Sequence, residues 1–181
     1  MATFEDLAGH FEKQLGLTWR TDLAPDYRVW ILWYEQALER RVRGRLHELE
    51  AKTHAAGFGW RHVDLAPEFG IWIAKHPHFE GLCEMPEELP GLLPAFTDHL
   101  IALVRQVLST CSETDLLALT GTGSLFGLVR VSALIRAVGA DIPGRMVVCF
   151  PGRHQAGIYR LLDAREGWNY RATPIPAVDV I

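Results

Sequence analysis

At 181 residues the chain is long enough to bury one ordinary hydrophobic core, so a single domain over residues 1–181 is expected. Apolar residues at 49% against 22% charged ones exclude a disordered tail, and a net charge of -4 excludes an overall positive field for nucleic acid or anionic membrane. No apolar run reaches the roughly 20 residues of a membrane span, and Met1 to Asp6 lacks the basic and apolar stretches of a secretion signal.

The first segment repeats Phe4, Leu7, Ala8, Phe11 and Leu15 on one helical face. Thr3 and Asp6 form a variant capping box and Gly16 ends the pattern, so residues 1–16 hold an N-terminal helix. Tyr27 to Tyr34 is aromatic and β-branched, the pattern of a strand buried on both faces. Leu38, Val42, Leu46, Leu49 and Thr53 then stripe one long helix from about Gln36 to Ala56, with Gly57 placed to close it. Trp60 to Leu65 predicts a second strand and Pro67 to Lys75 a short helix. Between His76 and Pro90, three prolines and little periodicity predict an irregular insertion over residues 76–90, with room for one helical turn.

Leu93, Phe96, Leu100, Leu103, Val104 and Val107 define an amphipathic helix. Leu116 to Thr120 is a buried-strand pattern that runs into a glycine-rich turn, and Leu128, Val131, Leu134, Ile135 and Val138 give the next helix, closed by Gly139. Met146 to Phe150 predicts a fourth strand, stopped by Pro151-Gly152, while Ile158 to Leu162 and Trp168 to Thr173 predict a C-terminal hairpin. Strands alternating with helices imply an α/β fold: a mostly parallel, Rossmann-like sheet in three layers, with helices on both faces. The Leu116–Thr120 and Met146–Phe150 strands should lie adjacent and parallel, with the helix between them crossing over.

The turn Gly121 to Gly127 is the strongest candidate for chemistry, because a strand, a glycine loop and a helix together can cradle an anion. A Walker A loop needs a Lys where this chain has Leu125-Phe126-Gly127. A dinucleotide fingerprint needs G-x-G-x-x-G and a later acid, but the spacing here is G-x-G-x-x-x-G and the next strand ends without one. A simpler ligand or anion site at Gly121, Thr122, Gly123 and Ser124 therefore competes with a purely structural turn.

Arg40, Arg41, Arg43 and Arg45 fan around the polar arc of the long helix, with Glu39 spaced to pair with Arg43. His76, His78, Glu80 and Cys83 fall short of four well-placed metal ligands, so neither metal nor cofactor is expected. Cys83, Cys111 and Cys149 share no C-x-x-C spacing, and reduced thiols in a cytoplasmic protein are expected. His62 and Asp64 share one side of a strand, yet no nucleophile can be named beside them. No catalytic residue is therefore assigned. Tyr159, Arg160, Arg165, Trp168 and Tyr170 combine aromatic and arginine side chains as interface cores do, and Arg40 and Arg43 form a second candidate for partner binding.

Three segments carry a family likeness. They are Gly123-Ser124-Leu125-Phe126-Gly127-Leu128 with Arg130-Val131-Ser132; Gly144-Arg145 opening the strand that ends Phe150-Pro151-Gly152; and Tyr159 to Arg165 with Gly167-Trp168-Asn169-Tyr170. In order and spacing they resemble the BrxB family of BREX bacteriophage-resistance systems, and Val29-Trp30 and Gly59 to Leu65 extend the likeness over most of the chain. The resemblance implies a non-enzymatic component of an antiviral defence complex whose recognised enzymes are other subunits: a methyltransferase, an ATPase and the phosphatase-like PglZ. It further implies an adaptor acting through protein–protein interaction, with a PglZ-like protein as first partner and DNA reached only through the assembly. The competing expectations are a small nucleotide- or anion-sensing domain using the Gly121 to Gly127 loop and a hydrolase around His62 and Asp64.

Overall fold

The computed structural model describes residues 3–17, 19–20, 22–155, 158–161 and 172–176. Helix α1 (Phe4–Leu15) forms as its apolar stripe demands, with the Thr3 hydroxyl accepting from the Asp6 amide at 3.2 Å and the Asp6 carboxylate from the Thr3 amide at 2.9 Å. Strand β1 (Val29–Tyr34) is buried at every position, as a strand covered on both faces must be.

The long helix read from the sequence is two helices, α2 (Glu39–Gly44) and α3 (Leu46–Ala55), preceded by a short 3₁₀ turn over Gln36–Leu38. Gly44 weakens helix continuity, and Arg45 leaves helical geometry at φ -115° and ψ 19°. Its guanidinium bonds Glu48 at 2.6 Å, reaches Glu5 of α1, and lies 4.1 Å above the Phe4 ring. The break thus docks α1 onto the α2–α3 pair.

After β2 (Gly59–Asp64) come α4 (Glu68–Ile73), α5 (Phe79–Glu84) and a 3₁₀ stretch over Pro86–Leu92. The segment read as irregular is therefore mostly short helix, anchored by buried Leu82, with Pro86 starting a turn whose first N–H needs no acceptor. Helix α6 (Leu93–Leu108), β3 (Asp115–Thr120), α7 (Val131–Val138) and β4 (Arg145–Gln155) follow, then β5 (Ile158–Leu161) and β6 (Thr173–Ile175).

The sheet order is β2-β3-β4-β1-β6, parallel throughout, with β5 antiparallel on β4. From β2 to β3 to β4 the chain moves one place at a time in one direction, whereas from β1 to β2 it moves back across two strands. Crossovers of one hand then place α6 and α7 on one face and α2 and α3 on the other. The side chains agree: Ile31, Leu117, Leu119, Val148 and Phe150 pack with α6 and α7, whereas Trp30, Leu32, Leu116, Val147 and Cys149 pack with α1 and α3. The expected three-layer arrangement is present, with β3 and β4 adjacent and parallel.

Of the expected C-terminal hairpin, the first strand is present as β5, paired antiparallel with β4. β4 does not stop at Pro151-Gly152 but continues to Gln155, and residues 152–155 pair with β5. Pro151 is tolerated because β3 stops pairing with β4 at Leu119 opposite Val148, leaving β4 without a neighbour on that side. Thr173 joins the short edge strand β6 beside β1, and residues 168–171 lie outside the described ones. Gly152 is required by packing: a Cβ there would stand 2.2 Å from the Arg160 carbonyl and 2.4 Å from the Phe150 ring. Replacing Gly152 with Ala should destabilise the fold by about 1–3 kcal/mol through this overlap, read as a lowered urea midpoint at unchanged slope.

Candidate functional site

In an open parallel sheet, ligands usually sit beyond the carboxyl ends of the strands, where successive connections depart to opposite faces. Here that point lies above β4, between β1, whose chain leaves toward α2, and β3, whose chain leaves toward α7. The glycine turn reaches that point, and the Asp64 end of the edge strand β2 lies beside the turn at Gly121.

The turn folds onto itself. Gly121 takes the left-handed conformation at φ +71°, and Thr122–Leu125 form a 3₁₀ turn instead of opening directly into α7. The Ser124 amide bonds the Gly121 carbonyl at 3.1 Å, and the Ser124 hydroxyl donates to the same oxygen at 2.7 Å. Thr122 is wholly buried and its hydroxyl donates to the Cys149 carbonyl at 2.7 Å. A Cβ at Gly121 would stand 2.5 Å from the Ala66 nitrogen and 2.6 Å from an Asp64 oxygen, and one at Gly123 3.1 Å from Pro151. The protein's own close packing thus accounts for these glycines. Both hydroxyls of the sequence-predicted site bond to protein carbonyls.

Beside the turn, β2 and β3 present a polar row on the α3 face. The register sets Asp64 opposite Thr120 and His62 opposite the small Ala118, which leaves the imidazole room to reach along β3. His62 Nε2 and Thr120 Oγ1 are 2.8 Å apart, and the Thr120 hydroxyl is a long 3.5 Å from Asp64 Oδ1. Asp64 also accepts from the Ala66 amide at 3.0 Å and from Arg43 at 2.7 Å. Thr120 is the residue that sequence reasoning missed, and strand register supplies the signal for it. A hydroxyl, an imidazole and a carboxylate resemble a hydrolytic triad in type but not in wiring. A triad places His between nucleophile and acid, whereas here Thr120 stands between His62 and Asp64, and Asp64 is bound to Arg43. The arrangement ties α2 to the sheet edge.

Arg43 therefore does not make the expected helix pair with Glu39. Glu39 instead accepts from the Tyr34 hydroxyl at 2.6 Å, because the 3₁₀ entry to α2 sets Glu39 over the end of β1. Burial, with the Glu39 charge nearby, pushes the Tyr34 phenol well above its ordinary value, and burial lifts the Cys149 thiol to about 12, which keeps it an unreactive thiol. Arg40 is exposed, and no ion pair among the described residues holds it.

Tyr159, expected at a partner surface, belongs to the core: it is 1% exposed, edge-on to Phe150 at 6.0 Å and 4.5 Å from the His154 ring. Strand alternation explains the correction, since Tyr159 opposite His154 faces inward and Arg160 opposite Arg153 faces out. The hairpin so formed packs against Phe150 and Trp33 at the carboxyl ends of β4 and β1. Arg165, Trp168 and Tyr170 lie outside the described residues. Among the described residues, no group of three or more potential ligands could hold a metal, and no helix is long and apolar enough to cross a membrane.

Desolvation lowers the His62 pKa below its ordinary value, opposed by the Asp64 and Glu50 charges and reinforced by Arg43. An imidazole lowered on folding contributes its full stability above its ordinary value and loses it as pH falls through the folded one. In an NMR titration His62 should titrate below a histidine in the unfolded chain, Asp64→Asn should lower it further, and Arg43→Ala should raise it. A His62 that titrates above the unfolded value would contradict this account of the site. Comparison with family models, curated proteins and solved structures returned no match.

Proposed function

We propose that this protein is a non-catalytic, cytoplasmic adaptor of a BREX-type phage-defence complex, bridging a PglZ-like protein to other subunits such as the ATPase and the methyltransferase. The family resemblance of the three motif segments motivates the choice of system. The observation that carries the adaptor role is the outer face of the β4–β5 hairpin. Arg153 and Arg160 stand directly opposite each other there, both exposed, with no carboxylate bonded to either among the described residues.

Like charges directly opposite on neighbouring strands destabilise a hairpin, so this pairing has no benefit to the isolated fold. An acidic partner would relieve the repulsion and gain two charge-assisted contacts. Arg40 of α2 is a further exposed arginine that no described carboxylate holds. The carboxyl-end crevice meanwhile has the Thr122 and Ser124 hydroxyls bonded to backbone and Asp64 held by Arg43, which favours docking over catalysis.

The test is a pull-down of a PglZ-type partner by wild type, Arg160→Glu, Arg153→Glu and Arg40→Glu, with melting curves alongside. Arg160→Glu converts a repulsive cross-strand pair into an attractive one, so it should stabilise the isolated chain by roughly 0.2–1 kcal/mol while weakening capture at least tenfold. Capture at wild-type strength by both hairpin variants would refute the proposed surface.

A further inference from the structure

At the opposite, amino end of the sheet, the α1 face holds a cavity of about 170 Å³ lined by Gln14, Trp19, Tyr27, Trp30, Arg145 and Thr173, among others. Its floor is unusual. Arg145 opens β4 on the side facing α1 and is only 3% exposed, yet none of the described ion pairs includes it. Its guanidinium donates to the Gly144 carbonyl at 3.0 Å and to the Arg20 carbonyl, and sits 4.8 Å from the centre of the Trp19 ring. Asp141, the nearest acid in sequence, is held by Arg105 at 2.7 Å, and Asp22, two residues from the Arg20 carbonyl, is held by Arg20 at 2.7 Å.

Backbone carbonyls satisfy individual N–H groups, but they do not neutralise a full charge. Arginine cannot escape by losing its proton, and a buried charge without a counter-charge is costly. Burial and the nearby Arg28 both disfavour the charged form of Arg145. The structure thus holds a guanidinium fork at the base of an open cavity.

The walls set the rest of the ligand's chemistry. Trp19 is fixed by stacking on Phe58 at 3.8 Å and by donating its indole N–H to the Glu113 carbonyl at 2.8 Å, and its edge-on contact with Trp30 at 5.8 Å fixes the second wall. At the mouth, Tyr27 is 51% and Leu17 60% exposed, more apolar surface than the fold itself accounts for. A cavity of this volume is close to the roughly 150 Å³ that accepts one benzene ring. Rigid aromatic walls favour a flat body, and a planar cation at the base favours a planar anion able to accept two parallel hydrogen bonds.

We propose that this cavity is a binding site for a small organic carboxylate with a flat apolar body, its carboxylate on Arg145 and its body between Trp19, Trp30 and Tyr27. The site is separate from the hairpin surface and does not depend on the adaptor reading.

The probe is benzoate, titrated calorimetrically into the full chain at low ionic strength, with benzamide and sulfate as controls. Benzamide keeps the shape without the charge, and sulfate keeps charge without the apolar body. Benzoate should bind saturably and at least tenfold more tightly than either. Arg145→Met should abolish that binding while keeping or raising the melting temperature, because an apolar side chain of similar length removes a buried charge that no described acid compensates. A purely structural Arg145 predicts the reverse: a lowered melting temperature and no benzoate binding by wild type. Tyr27→Ala, at the exposed mouth, should weaken benzoate severalfold without changing the melting temperature, and it decides the matter if the Arg145 variant does not fold. Equal affinity for benzoate and benzamide, sulfate binding as tightly as benzoate, or no binding at all would overturn the proposal.

Discussion

The two cores of this protein lie on opposite faces of one sheet whose central strand is β4. β4 lies between β3 and β1, and its residues alternate between them: Met146, Val148 and Phe150 pack toward α6 and α7, Val147 and Cys149 toward α1 and α3. Burial on both faces admits no charged side chain along that run, and it forces both neighbouring strands to supply equally apolar partners. Ile31 and Leu32 of β1 and Leu117 and Ala118 of β3 meet that demand. The polar groups of the sheet are thereby pushed to its two ends, so the ends of β4 are where its function must be sought.

The two ends have opposite characters. At the carboxyl end the glycine turn, the His62–Thr120–Asp64 row, Arg43 and the Tyr34–Glu39 contact bond one another or the backbone, and the continuation of β4 packs a hairpin over Phe150. Such a network fixes α2, the turn and the hairpin to one another, and it presents arginines outward. At the amino end Arg145 is buried beside a cavity, and among the described residues no acid pairs with it. One end is suited to a macromolecular surface, the other to a small anion.

Much of the architecture was legible in the residues because it follows from local periodicity. The α1 stripe with its capping box, the unbroken apolar run of β1 and the β3–turn–α7–β4 unit all depend on neighbours in sequence. What was not legible depends on distant partners. Arg45 breaks the second helix because Glu5, forty residues earlier, takes one side of its guanidinium. Pro151-Gly152 reads as a strand terminator until the shorter β3 removes the neighbour that proline would obstruct. Within the candidate sites, alternation along β5 separates inward Tyr159 from outward Arg160 once the pairing with β4 is known. Gly144-Arg145 stands out as part of a motif, but nothing local signals that Arg145 is buried, since its cover comes from Trp19 and the Arg20 backbone.

The central claim is that the chain acts through the basic outer face of its hairpin and not through its glycine turn. Hydrogen–deuterium exchange of the full chain, alone and with a PglZ-type partner, tests it most directly. The account predicts new protection over residues 152–161 and at α2, with residues 121–127 unchanged, since the Ser124 and Phe126 amides and the Thr122 and Ser124 hydroxyls are already bonded within the fold. Protection confined to residues 121–127, with the hairpin and α2 exchanging as in the free protein, would contradict it.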